Sequence, residues 1–156
     1  MEFQKHFGPI SVNEVHKYEI KYGVSLPDDY RQFLMKYNGG FRPNPCIVLV
    51  ADSESKVLYA DIDQFIGVVD VPEYCRQAVE HLASAGIDYH EFFPIADDST
   101  KNSFFMSLRQ QDYGSVYYWN SDYEFDLSFS VYKVADSFTT FIQALLTYKQ
   151  IEENKS

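Results

Sequence analysis

Cysteine is scarce in this chain: Cys46 and Cys75 are the only two, and they stand far apart. That excludes a disulfide framework and a CxxC metal pair, and both thiols are expected to be buried and reduced. No apolar run approaches the roughly 20 residues needed to cross a bilayer. The opening stretch, MEFQKHFGPIS, lacks a basic segment followed by an apolar one, so no secretory signal is read there and a cytoplasmic location is expected. Positive charge is also short. Thirteen Lys and Arg against 23 Asp and Glu give a net charge of −10, which repels phosphate backbones and anionic lipid and disfavours direct binding to nucleic acid or membrane. An acidic surface can steer a basic protein partner into contact, or it can simply keep a chain in solution. No GxSxG elbow, GxGxxG turn, GKS/T loop or HExxH pair occurs, so no catalytic, metal or cofactor motif is visible.

What is abundant is core material. Hydrophobic residues make up 46% and aromatics 17% of 156 residues, too rich for a disordered chain and enough for one domain burying about 68–70% of its unfolded surface. A single domain over 1–156 is expected, with its core at about 11–148 and a flexible tail at 151–156.

Punctuation along the chain predicts the elements. Ser11 and Glu14 form a capping box for a helix to Tyr22, closed by Gly23. In LPDDYRQFLMKYNGG, Pro27, Asp28 and Asp29 suit a helix start, with a second capping box over Ser25–Asp28. Tyr30, Phe33, Leu34 and Tyr37 then make one apolar stripe, and Asn38-Gly39-Gly40 supplies a left-handed exit. Strands are predicted at Cys46–Val50, Lys56–Ile62, Phe65–Val71 and Phe92–Ala96, the last placed at an edge or strand end because of Pro94. A helix runs from Pro72 towards Gly86. Ser103–Leu108 and Ser115–Trp119 flank RQQDYG as a hairpin, Phe129–Val134 is a further strand, and a helix starts near Asp136. Helices first, strands grouped in the middle and a closing helix indicate an α+β fold.

Chemistry-bearing residues are few. His81, His90 and Glu91 form the one cluster with metal-ligating side chains, and they are equally ordinary surface residues. Asp61 and Asp63 would share one side of a strand, where a divalent ion is a possible guest. Asp97-Asp98 fits an acid–base pair, or a solvated turn, the simpler reading of DDST. Tyr117, Tyr118 and Trp119, with Tyr113, Tyr123 and Phe125, concentrate rings beside Asp122, Glu124 and Asp126. That is the composition of a core wall, or of an interface hot spot with an acidic rim.

Three segments together resemble a known family. EIKYGVSLPDDYRQFLMKYNGG is similar to the amino-terminal pattern of the SUKH superfamily. FFPIADDSTKNSFFMSLRQQDYGSVYYWNSD resembles its central portion, and VADSFTTFIQALL its final helix, so the likeness spans Ser11 to Leu146. One departure is Ser99-Thr100-Lys101-Asn102, where relatives often carry a glycine. The resemblance implies a twisted, largely antiparallel sheet covered by helices, and a non-catalytic role. That role is an immunity protein or antitoxin binding a cognate toxin, often a nuclease or other nucleic-acid-modifying enzyme, or else a regulatory scaffold in cell-wall or stress signalling. A toxin of that kind carries basic residues, so the expected contact set is Asp61, Asp63, Asp97, Asp98, Asp122, Glu124 and Asp126, with Tyr118 and Tyr123 as anchors and no cofactor.

Overall fold

The computed structural model describes residues 1–51, 57–68 and 72–156, the side chains at 57 and 72–75 excepted. The Cys75 thiol, Lys56 and the 69–71 end of the expected Phe65–Val71 strand lie outside the described residues. The chain runs β1 (Glu2–His6), α1 (Val12–Tyr22), α2 (Asp28–Tyr37), β2 (Gly40–Asn44), β3 (Ile47–Ala51), β4 (Val57–Asp61) and β5 (Gln64–Phe65). It continues with α3 (Pro72–Ser84), β6 (Phe92–Asp97), β7 (Ser103–Ser107), β8 (Val116–Trp119), β9 (Val131–Ala135), α4 (Phe138–Gln143) and α5 (Tyr148–Lys155). Seven strands form one sheet in the order β1-β2-β5-β6-β7-β8-β9, and β3 and β4 pair separately. Every pairing among the described strands is antiparallel, so the fold is α+β as the element order suggested.

Alternation along the strands gives the sheet two covered faces. Phe93, Phe104, Met106 and Tyr118 point towards α1, α2 and α4, where they join Tyr30, Phe33 and Phe141 in the main core. The opposite residues, Phe92, Phe105 and Trp119, pack with Leu82 of α3 and with Ile87. The α2 stripe is as read from its spacing: Phe33 sits 4.9 Å from the Phe65 ring and 5.0 Å from Phe138. Ser11 and Glu14 make the reciprocal capping box, and Gly23 ends α1 in the left-handed region. Glu19 then clamps the two helices, its carboxylate accepting from the Leu26 N–H at 2.7 Å and from Arg31 Nε at 2.8 Å. Burial pushes the Glu19 carboxyl up, but these bonds outweigh it and hold the group below its usual range.

Four expectations are corrected or refined. Ser25 does not cap α2; Pro27 holds the N-cap position without a side-chain bond, and the Ser25 hydroxyl accepts from Arg31 instead. β6 as a whole is not an edge strand, since it lies between β5 and β7, but Pro94 itself is paired on one side only, with Phe105 of β7. A proline is tolerated there because β5 reaches only Ala96 and Asp97 and the β6–β7 register shifts between Pro94 and Ala96. Phe129 precedes β9 and is 54% exposed. The polar end, expected to fray, forms α5, with a Thr147–Gln150 capping box and a buried Ile151 packed against Cys46 and Ile47.

Candidate functional site

In an antiparallel sheet, alternate connections share one end. The β4–β5 corner, the β6–β7 turn (98–102) and the β8–β9 loop (120–130) therefore lie together, and these segments with their flanks carry all nine residues expected to contact a partner. They divide into two kinds.

Asp98 and Tyr118 are interior. Asp98 is 3% and Tyr118 7% exposed, and each is spent on the protein itself. One Asp98 oxygen accepts from the Thr100 N–H at 2.8 Å, the Thr100 hydroxyl at 2.9 Å and the Asn102 N–H at 2.8 Å. The other accepts from the Asn102 side-chain amide at 3.0 Å and the Tyr118 hydroxyl at 2.8 Å. Burial, with the Asp98 carboxylate beside it, raises the Tyr118 phenol well above its ordinary value. Asn102 then bridges to the next loop, its Oδ1 accepting from the N–H and hydroxyl of Ser121 at 2.9 and 3.0 Å. The polar atoms of Asp98 and Tyr118, two of the expected contact residues, are thus turned inward and hold the two loops in register. The turn itself needs a left-handed residue, and Lys101 takes φ +70°, the conformation for which glycine is the economical choice.

The remaining residues face outward to differing degrees. Asp122, Tyr123, Glu124 and Asp126 are exposed, whereas Asp61, Asp63 and Asp97 are half-buried. Asp61 accepts from the Ser99 hydroxyl at 2.9 Å. Asp126 accepts from Ser128 through both hydroxyl and N–H, which holds its carboxyl below the usual range. Among the described residues no ion pair engages Asp122, Glu124 or Asp126, while Asp28, Glu80, Asp112, Asp136 and Glu153 elsewhere are paired. Between these acids stand exposed apolar groups, Tyr123 at 53%, Leu127 at 46% and Phe129 at 54%, with the Tyr123 and Phe129 rings edge to face at 5.3 Å. Leu127 and Phe129 were missed from sequence; the signal was two apolar side chains within an otherwise polar, acidic loop. A groove of about 630 Å³ runs from this loop to the end of α3, lined by Trp119, Asp122, Tyr123, Glu124, Phe125 and His81.

His90 bonds Asp88 at 2.8 Å and stacks on Tyr89 at 4.2 Å, while His81 rests over Trp119 at 5.7 Å. Among the described residues no group of three or more His, Cys, Asp and Glu side chains could hold a metal ion. At the far end of the sheet, Asp112 accepts from Ser107, Arg109 and Tyr117, and Arg109 lies 4.6 Å over the Phe92 ring. That arrangement locks the hairpin and pushes the Tyr117 phenol up to about 12, through burial and then the Asp112 carboxylate.

Asp97 stands apart energetically. Burial pushes its carboxyl up to about 6; Lys101 opposes the rise, and Asp98 and Asp63 add to it. A folded value above the unfolded one, near 3.9, means that folding favours the protonated acid, so ionised Asp97 destabilises the fold above pH 6. Asp97→Asn is expected to be more stable than the parent by about 1–3 kcal/mol at pH 8. The difference should shrink as pH falls through 6 and vanish near pH 4, as urea denaturation at each pH would show.

No helix among the described residues is long and apolar enough to cross a membrane. No curated protein matches the sequence at the level of a relative. The model of the SMI1 / KNR4 family (SUKH-1) matches residues 9–144, and on that match, which covers most of the sequence, the chain belongs to the SMI1 / KNR4 (SUKH-1) family.

Proposed function

We propose that this protein is a cytoplasmic immunity protein, which neutralises a basic cognate toxin, a nuclease or other nucleic-acid-modifying enzyme, by contact and without catalysis. One observation carries the reading. The loop at 120–130 presents, around exposed Tyr123, Leu127 and Phe129, carboxylates that form no ion pair among the described residues, and it is tied to the neighbouring turn through Asn102. Aromatic anchors inside a charged rim are how a few residues supply most of a protein–protein affinity. A loop already held in place spends less of that affinity on ordering. An enzyme that grips nucleic acid through Lys and Arg is electrostatically complementary to such a face.

The test is co-expression with the toxin encoded beside this gene, scoring survival. The parent chain should rescue growth. A variant carrying Asp122→Lys, Glu124→Lys and Asp126→Lys should fold normally, lose rescue, and show an association rate at least about tenfold lower at low salt. Rescue undiminished by these changes would remove this face from the interface. Failure of the parent to rescue from any adjacent toxin would favour the regulatory scaffold role.

A further inference from the structure

Across the α3 side of the sheet, register aligns one row of side chains: Gln64 opposite Asp97, Asp97 opposite Ser103, and Ser103 opposite Trp119. His81 covers the Trp119 end of that row. Over the Gln64–Asp97–Ser103 end the helix does not close, and a pocket of about 310 Å³ remains, walled by Ile66 and Ala78 and rimmed by His81 and Lys101.

The floor of this pocket is chemically incomplete. Gln64 is only 7% exposed, yet among the described residues its Nε2 donor has no partner. The Asp97 carboxylate, although half-buried, accepts no hydrogen bond among the described residues. Ladder neighbours of this kind have Cβ atoms about 5 Å apart, so a buried donor and an ionisable acceptor stand side by side. A lone cation would satisfy Asp97 and leave Gln64 unmet. A lone anion would satisfy Gln64 but confront Asp97, with Asp63 and Asp98 close enough to add to the repulsion. A planar group with a carbonyl oxygen beside an N–H meets both requirements once the enclosed Gln64 amide turns into the pocket, the oxygen accepting from Gln64 Nε2 and the N–H donating to Asp97. The apolar walls suit the flat faces of such a group.

We infer that the pocket over Gln64, Asp97 and Ser103 is a binding site for a primary carboxamide. The inference does not depend on the immunity reading, since the pocket's floor is not part of the Tyr123–Phe129 loop. The same chemistry is available from a free amide-bearing small molecule or from an Asn or Gln side chain of a bound protein.

Two probes separate those sources: nicotinamide for the free ligand, and N-acetylglutamine methylamide for a protein side chain. The readout is the Gln64 side-chain NH2 resonance pair of the 15N-labelled full chain. At least one probe should move it saturably by about 20 mM, as expected of a ligand with so few atoms. Nicotinate, with the same ring but no N–H to donate, should bind at least about tenfold more weakly, and Asp97→Ala should weaken nicotinamide or the capped glutamine by a similar factor. Tighter binding of nicotinamide assigns the site to a small molecule, and tighter binding of the capped glutamine assigns it to a partner's side chain. Water alone filling the pocket would overturn the inference: no saturable shift with either probe, or shifts unchanged by Asp97→Ala in a chain whose amide spectrum otherwise matches the parent.

Discussion

Gly39→Ala is expected to lower stability by about 2–5 kcal/mol, a large share of the 5–15 kcal/mol that holds a typical domain together. Two costs add. Gly39 has φ +77°, where a side chain costs about 1–2 kcal/mol. A Cβ there would also lie 2.6 Å from both the Gly67 nitrogen and the Phe65 oxygen, and 2.7 Å from the Ile66 carbonyl carbon. All three are backbone atoms of the end of β5 and the two residues after it, so no rotamer change relieves the overlap, and overpacking of this kind costs about 1–3 kcal/mol or more. The preceding residue is fixed as well: Asn38 Oδ1 accepts from the Val68 N–H at 2.8 Å. Urea denaturation should show the midpoint falling by more than about 1 M with an unchanged slope. A loss below 1 kcal/mol would mean that α2 and β5 can part without consequence.

That result would show what the Asn-Gly-Gly run is for. From sequence it reads as a helix exit, and it is one; but φ > 0 is a local property visible in a residue type, whereas the approach of residues 65–67 is a tertiary one. The same division explains the rest. The α1 capping box, the α2 stripe and the β7–β8 hairpin depend on neighbours within a few positions, and each formed where its spacing placed it. β1 was not anticipated, because Glu2, Lys5 and His6 give it no apolar alternation and its formation rests on pairing with β2. α5 was read as a tail from polarity, although Thr147 and Gln150 carried the capping signal and Ile151 the anchor. In the candidate site, the convergence of Asp97, Asp122 and Glu124 follows from the hairpin order alone. Which acids would be buried does not, since Asp98 is enclosed by residues from its own turn and by Tyr118, 20 positions away.

Asp98→Ala separates those two roles. Five donors converge on its carboxylate: two backbone N–H groups, the Thr100 and Tyr118 hydroxyls and the Asn102 amide. Alanine removes the acceptor and leaves partly buried donors unmet, and breaking a buried network of this kind costs about 3–5 kcal/mol. For a chain of this length that lowers the melting temperature by about 10 °C or more. Asp98→Asn should fall between, because its Oδ1 can keep three of the bonds while its NH2 meets the Asn102 amide donor and relies on the Tyr118 hydroxyl turning to accept. Loosening of the turn should spread through Asn102 to Ser121, so amide exchange at Ser121 should accelerate in Asp98→Ala and not in the Asp122, Glu124 and Asp126 charge-reversal variant. If Asp98→Ala melts like the parent yet no longer protects cells from the toxin, its carboxylate touches the partner directly and its placement here as an internal brace is wrong.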